Sequence, residues 1–302
     1  MTLGAFAAVV VIGGSNFVAV RFSNQELPPF FGAGLRFAAA ALLFLAIVGV
    51  RRIPLPRGQA LLGTLLYGML AFTAAYALAY WALLELPAGI AGLIMSSVPL
   101  LTFFFALIHG IESFRWRSLA GGTLAIAGIT VLLSAPLTFS IPFTSVLAMV
   151  GAAACAAEAG VVIKRFPPSH PVATNGLAMA IGTAFLLFIS AVNGEPWSLP
   201  DRGATWVAVA YLVLLGSVGL FALYLFVLKR WTASGASFQF VLMPLVAVLL
   251  GAWLAAEPVT AGVVFGGVIV LGGVYVGALS RPRVPVPATP EKEALAQRCS
   301  NC

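Results

Sequence analysis

The sequence predicts an all-α membrane protein: ten transmembrane helices arranged as two inverted five-helix repeats. Three observations carry that expectation. Hydrophobic residues make up 61% of the 302-residue chain and charged residues 8%, against roughly 25% charged in ordinary globular proteins. The apolar residues fall into ten runs of about twenty, the length that crosses a ~30 Å hydrocarbon core at ~1.5 Å per residue. A pattern containing a proline and an acid recurs at an offset of 145 residues. With a mean hydropathy of +1.07, the chain has too few polar groups to cover a water-exposed surface. Disorder, a nucleic-acid module and a disulfide scaffold are excluded as the main reading.

The runs, in order, are 2–21, 28–49, 58–83, 87–108, 115–134, 142–164, 171–193, 203–228, 233–255 and 258–280. The first lacks a basic leader and is read as a membrane helix rather than a signal peptide. Turn formers separate the rest: Arg51 to Gly58, Pro87, Pro136, Pro167 with Pro168, Asn193 to Pro200, and Pro258. Only Pro99 and Pro244 of the 19 prolines lie well inside a run, as expected where an interior proline removes a helical hydrogen bond. The Pro-rich, charged stretch 281–302 is expected to be a disordered cytoplasmic tail. Its Cys299 and Cys302 lack the second pair that a closed zinc site needs.

Charge sets the orientation. With the N-terminus inside, Arg51, Arg52, Arg57, Arg115, Arg117, Lys164, Arg165, Lys229, Arg230 and the tail's basic residues are cytoplasmic. Only Arg21 and Arg202 then lie outside, and Arg36 lies within the second helix. This satisfies the positive-inside rule and puts both termini in the cytoplasm. The net charge of +7 therefore reads as topology rather than as a nucleic-acid site.

Aligning 88–128 with 233–273 gives eight identities, among them Pro99/Pro244, Glu112/Glu257, Gly121/Gly266, Gly122/Gly267 and Gly128/Gly273. Five runs thus make one repeat: 1–135, then 136–280. Five is odd, so the second copy enters the membrane from the other side. Inverted repeats of this kind are common in secondary transporters.

The pattern Pro99…Glu112…Gly121-Gly122…Gly128, repeated as Pro244…Glu257…Gly266-Gly267…Gly273, resembles the duplicated EamA domain of the drug/metabolite transporter superfamily. The resemblance spans about residues 1–280. It implies a bacterial inner-membrane exporter of amino acids or related metabolites, with the YddG-like aromatic amino-acid exporters as the branch it suggests. It also implies that the first four helices of each half line a central cavity, with the fifth peripheral.

Two ionisable residues fall inside the runs and are functional candidates by position. Arg36, about 12 Å below the outer end of its helix by the helical rise, either pairs with a substrate carboxylate or snorkels outward. Glu158, about 9 Å from the inner end by the same rise, either meets a substrate ammonium or a proton or hydrogen-bonds to a neighbouring helix. Thr73, Tyr76 and Tyr80 share a face of the third run, as do Ser217, Phe221 and Tyr224 on the eighth. Ser15 and Asn16 interrupt the first run, Ser96 and Ser97 precede Pro99, and Ser237 and Gln239 precede Pro244. Together these are expected to furnish an apolar cavity with few hydrogen-bonding groups. Pro99 and Pro244 are expected to soften their helices for gating. Glu112 and Glu257 are read as caps for the helices that follow them. Trp81 is read as an anchor at the membrane interface.

No P-loop, catalytic triad or metal cluster is present in the sequence, so neither an enzyme site nor a cofactor is expected. The partners expected are the bilayer, a small-molecule substrate and, for coupling, protons. A lipid flippase or lipid-modifying enzyme, and a non-transporting receptor, stay open as alternatives at this point.

Overall fold

The computed structural model describes residues 2–110, 114, 116–134, 141–228 and 239–276. Glu112, Arg115, Pro136, Lys229, Arg230, Ser237 and the stretch 281–302 with Cys299 and Cys302 lie outside the described residues. The described chain is helical, with no strand among the described residues.

The helices are numbered by run. They are α1 (Thr2–Ser23), α2 (Pro29–Val50), α3 (Gln59–Ala82), α4 (Ala88–Ile108), α5 (Trp116–Ser134), α6 (Phe143–Arg165), α7 (Pro171–Val192), α8 (Gly203–Val213 continuing to Leu220–Leu228), α9 (Gln239–Leu254) and α10 (Ala261–Val274). Seven of them, α1–α4 and α6–α8, are long and apolar enough to cross a membrane. The apolar parts of α5, α9 and α10 are shorter.

Several helix contacts obey an exchange rule, in which a contact between two helices reappears between the helices five further along or back. Helix α1 packs on α9, and α6 packs on the second half of α4. Likewise α1 packs on α8 and α6 on α3, while α2 touches α8 and α7 touches α3. The pairs α2–α7, α4–α9 and α5–α10 map onto themselves. Lipid offers little hydrophobic drive between helices, so close approach of backbones must supply the adhesion. A Cβ on Gly128 of α5 would stand 2.9 Å from the Gly266 carbonyl oxygen and 2.6 Å from Val270 N of α10.

Helix α4 does not run through Pro99 as a kinked rod. It stops at Met95 and restarts at Val98, which makes Pro99 the second residue of a new helix, where a missing N–H costs nothing. Its repeat counterpart Pro244 lies inside the helix Gln239–Leu254.

Helices α3 and α8 are interrupted at equivalent places. Gly68–Ala74 and Leu214–Gly219 are π-helical, a rare geometry that favours functional sites. In each, a hydroxyl reaches back five residues: Thr73 Oγ1 donates to Gly68 O at 3.5 Å, and Ser217 Oγ to Leu212 O at 2.9 Å.

Candidate functional site

The largest side chain buried in the core is a cation. Arg36 of α2 is 1% exposed. Its Nε donates to Ser217 Oγ at 2.8 Å, Nη2 to Gly216 O at 2.9 Å and Nη1 to the Tyr80 hydroxyl at 3.3 Å. The π segment of α8 explains two of these partners, because widening the turn there turns Gly216 O and Ser217 toward α2. Asn16 Nδ2 of α1 shares Gly216 O at 3.3 Å, and Asn16 Oδ1 is buried without a partner. A Cβ at Gly216 would stand 2.3 Å from Asn16 Oδ1 and 3.3 Å from Arg36 Nη2, so any larger residue there would close the seat. Ser15 and Tyr211 hydroxyls bond to each other beside it.

The guanidinium also faces two rings, with its carbon 5.2 Å from the centroids of both Phe37 and Tyr76. Those rings begin an aromatic wall. Phe37 meets Tyr76 edge-on at 4.6 Å and Phe72 at 5.2 Å, and Phe72 meets Phe221 of α8 at 5.4 Å. Cation–π contact partly offsets the loss of water around the charge. No carboxylate contacts Arg36 among the described residues.

Of the residues expected to line a cavity, the structure brings Ser15, Asn16, Arg36, Tyr76 and Tyr80 together. Phe221 lies along the aromatic wall, and Thr73 is buried with its hydroxyl on Gly68 O of its own helix. Others lie elsewhere. Ser96 and Ser97 donate to carbonyls of their own helix, Leu93 O and Ile94 O, at the α4 break. Tyr224 packs with Phe6, Val10 and Val227, and Gln239 is buried at the start of α9. Sequence reasoning missed Tyr211, whose polar pairing with Ser15 crosses 196 residues and has no local signal.

Glu158 forms a separate cluster. Its Oε1 accepts from His109 Nε2 at 2.7 Å, and Arg165 Nη1 donates to His109 Nδ1 at 3.3 Å. Donation from Arg165 to Nδ1 goes with the tautomer whose proton sits on Nε2, facing Glu158. Glu158 Oε2 is buried without a partner.

Four glutamates gather at the opposite face. Glu257 was expected to cap α10, the helix that follows it, but Thr260 does so by accepting from Val263 N. Glu257 instead accepts from Ala88 N (2.8 Å) and Gly89 N (3.3 Å) at the start of α4, and pairs with Arg21 Nη1 at 2.5 Å. Local backbone explains the aim. The end of α9 closes with Glu257 N–H on Gly251 O, six residues back, around a left-handed Ala256 at φ 51°, a left-handed helix end that throws the next side chain sideways. Glu195 also follows a left-handed residue at a helix end: its N–H bonds Ser190 O, five residues back, around Gly194 at φ 66°, a Schellman turn. Its carboxylate accepts from Phe30 N and Phe31 N at the start of α2.

The first half reciprocates. Glu26 accepts from Arg202 N and the Thr205 hydroxyl at the start of α8, and Glu85 accepts from Ser145 Oγ at the start of α6. The Thr205 hydrogen bond, ahead of the backbone donors, holds the Glu26 carboxyl below its usual range. Each carboxylate meets a positive helix N-terminus, and each contact crosses between residues 1–135 and 136–280. The same contacts fix helix direction. The ends of α1, α3, α7 and α9 and the starts of α2, α4, α6 and α8 share this face, so α6 runs opposite to α1.

A model of the EamA-like transporter family matches the chain twice, over residues 2–134 and 143–278. The uncharacterized inner membrane transporter YedA of Escherichia coli is 29% identical over 255 residues, covering 84% of this chain and 83% of its own. A probable amino-acid metabolite efflux pump of Salmonella typhimurium is 25% identical over 279 residues, covering 89% and 91%. A protein of known crystal structure shares the fold with a TM-score of 0.64 at 20% identity, covering 92% of this chain and 96% of its own.

Proposed function

The chain belongs to the EamA-like transporter family of the drug/metabolite transporter superfamily, and from that premise we propose that it exports small carboxylate-bearing metabolites, neutral and aromatic amino acids among them, across a bacterial inner membrane. The observation that carries the reading is Arg36, a buried cation with no acid partner among the described residues, set against an aromatic wall. A guanidinium has five N–H donors. Three are used here, leaving one on each terminal nitrogen. Two parallel N–H groups are what a carboxylate takes, and the rings would receive an apolar or aromatic body.

In this reading all ten helices cross the membrane, and the four-glutamate face is the outer one, because Arg51, Arg52, Lys164 and Arg165 end helices at the other face. The four cross-half carboxylates then form a closed outer gate. Transport alternates this state with one in which those contacts part and the inner ends close. The name of the Salmonella relative supports amino acids as a substrate class, and Glu158 with His109 at the inner end is the candidate proton carrier.

Counterflow in liposomes containing the purified protein tests the proposal. Preloaded unlabelled substrate should accelerate entry of labelled phenylalanine or another carboxylate, and Arg36→Gln should abolish the acceleration. Fluxes at the empty-liposome level for every carboxylate tried would sink it.

A further inference from the structure

We infer that the Arg36 seat selects by net charge, preferring monocarboxylates without a protonated amine over zwitterionic amino acids of the same size. The inference rests on the reading of Arg36 as the carboxylate site and sharpens it.

Every described acid is committed elsewhere. Glu26, Glu85, Glu195 and Glu257 hold helix starts at one face. Glu158 is engaged by His109 near the other face, and Asp201 is exposed in the loop before α8. Among the described residues the seat therefore carries one positive charge and no negative one. A monocarboxylate brings it to zero. A zwitterion leaves it at plus one and adds an ammonium within a few ångströms of the guanidinium, in surroundings that screen poorly.

The acceptors point the same way. An ammonium needs three. Gly216 O is already shared by Arg36 and Asn16. Ser217 Oγ accepts from Arg36 while donating to Leu212 O. Ser15 and Tyr211 are paired with each other. Among the described residues, the buried side-chain acceptor beside the guanidinium without a donor is Asn16 Oδ1, which is neutral and suits a hydroxyl or an amide N–H. The rings beside the guanidinium and behind it, Phe37, Tyr76, Phe72 and Phe221, would offer faces and edges to an aryl or alkyl body.

Three probes on one skeleton decide it: 3-phenylpropanoate, phenylalanine and 2-phenylethylamine, with net charges of minus one, zero and plus one. The readouts are half-maximal concentration in counterflow and thermal stabilisation of the full-length protein. The expected order is 3-phenylpropanoate about tenfold or more tighter than phenylalanine, with the amine inert. Raising the pH above the amine's own pKa should bring phenylalanine toward 3-phenylpropanoate. Arg36→Gln should erase the preference. Should that variant not fold, Tyr80→Phe, which removes one guanidinium contact, should weaken both carboxylates while keeping their order. Phenylalanine binding as tightly as 3-phenylpropanoate at neutral pH would overturn the charge rule and leave the carboxylate reading standing. No response to either carboxylate, or a response to the amine alone, would overturn both.

Discussion

Glu195 and Glu257 occupy the same place in two left-handed helix ends, the first closing on a carbonyl five residues back and the second on one six back. Each follows a left-handed residue that ends a helix, and each lays its carboxylate on the first N–H groups of a helix in the other half. The turn supplies direction and the helix start supplies positive potential. With Glu26 and Glu85 returning the contact, the two halves are held at this face by four charge-assisted hydrogen-bond sets.

Removing one of them should loosen the protein. In Glu257→Ala, two N–H groups and Arg21 lose their partner, and stability should fall by about 1–3 kcal/mol. Glu257→Gln keeps an acceptor and should lose less. Thermal unfolding in detergent measures both, and equal melting temperatures for wild type and Glu257→Ala would refute the assignment. If the set also forms the outer gate, a cysteine placed at Ser217 should react faster with a membrane-impermeant thiol reagent from outside once Glu257 is replaced.

The turn itself can be improved. Ala256 holds φ 51°, a conformation that costs a side-chain-bearing residue about 1–2 kcal/mol, whereas Gly194 occupies the matching position before Glu195 without that cost. Ala256→Gly should raise the melting temperature by a few degrees. An unchanged or lower value would show that the strain is not there.

Acid should weaken the same face. The Glu26 carboxyl titrates below its ordinary 4.5, chiefly because Thr205 donates to it. A depressed carboxyl contributes stability that is fully present above its unfolded-state value and is lost as pH falls through its folded value. Wild type should therefore lose stability below about pH 4.5 more steeply than Glu26→Gln. Parallel melting-temperature profiles from pH 7 to 3 would argue against this linkage.

The proton coupling proposed above has a specific address. The titratable and charged groups in the Glu158 cluster are His109 from α4 and, through its imidazole, Arg165 from the same helix as Glu158. Helix α3, which also packs on α6, carries no charged residue. Glu158→Gln should leave downhill substrate flux intact and remove its response to an imposed pH gradient. A variant that still follows the gradient would exclude Glu158 as the carrier.

Much of this architecture was legible in the sequence because the membrane enforces a simple rule: apolar runs of one length, with punctuation between them. Arg36 was legible for the same reason, since a charge in such a run requires an explanation. What pairwise spacing did not reveal was anything decided across the halves. Glu257 reads locally as a cap for the helix after it, and only the fold shows that its turn faces α4. The π segments were hidden too, because Gly68 and Gly216 look like ordinary packing glycines until the hydroxyls of Thr73 and Ser217 are seen bonding five residues back. Ser96 and Ser97 failed to reach the guanidinium because a broken helix gives its hydroxyls nearer acceptors.

The paired π segments have a mechanical consequence. A π turn is a dislocation, one residue too many for the lattice of hydrogen bonds around it, and such a defect shifts along a helix by exchanging one bond at a time. A residue it passes swings by about 100°, the angle between successive α-helical positions. A one-step shift in α3 would re-aim the Tyr76 ring, and one in α8 would re-aim Ser217. Either would unclasp the guanidinium without melting a turn or sliding a whole span through the lipid.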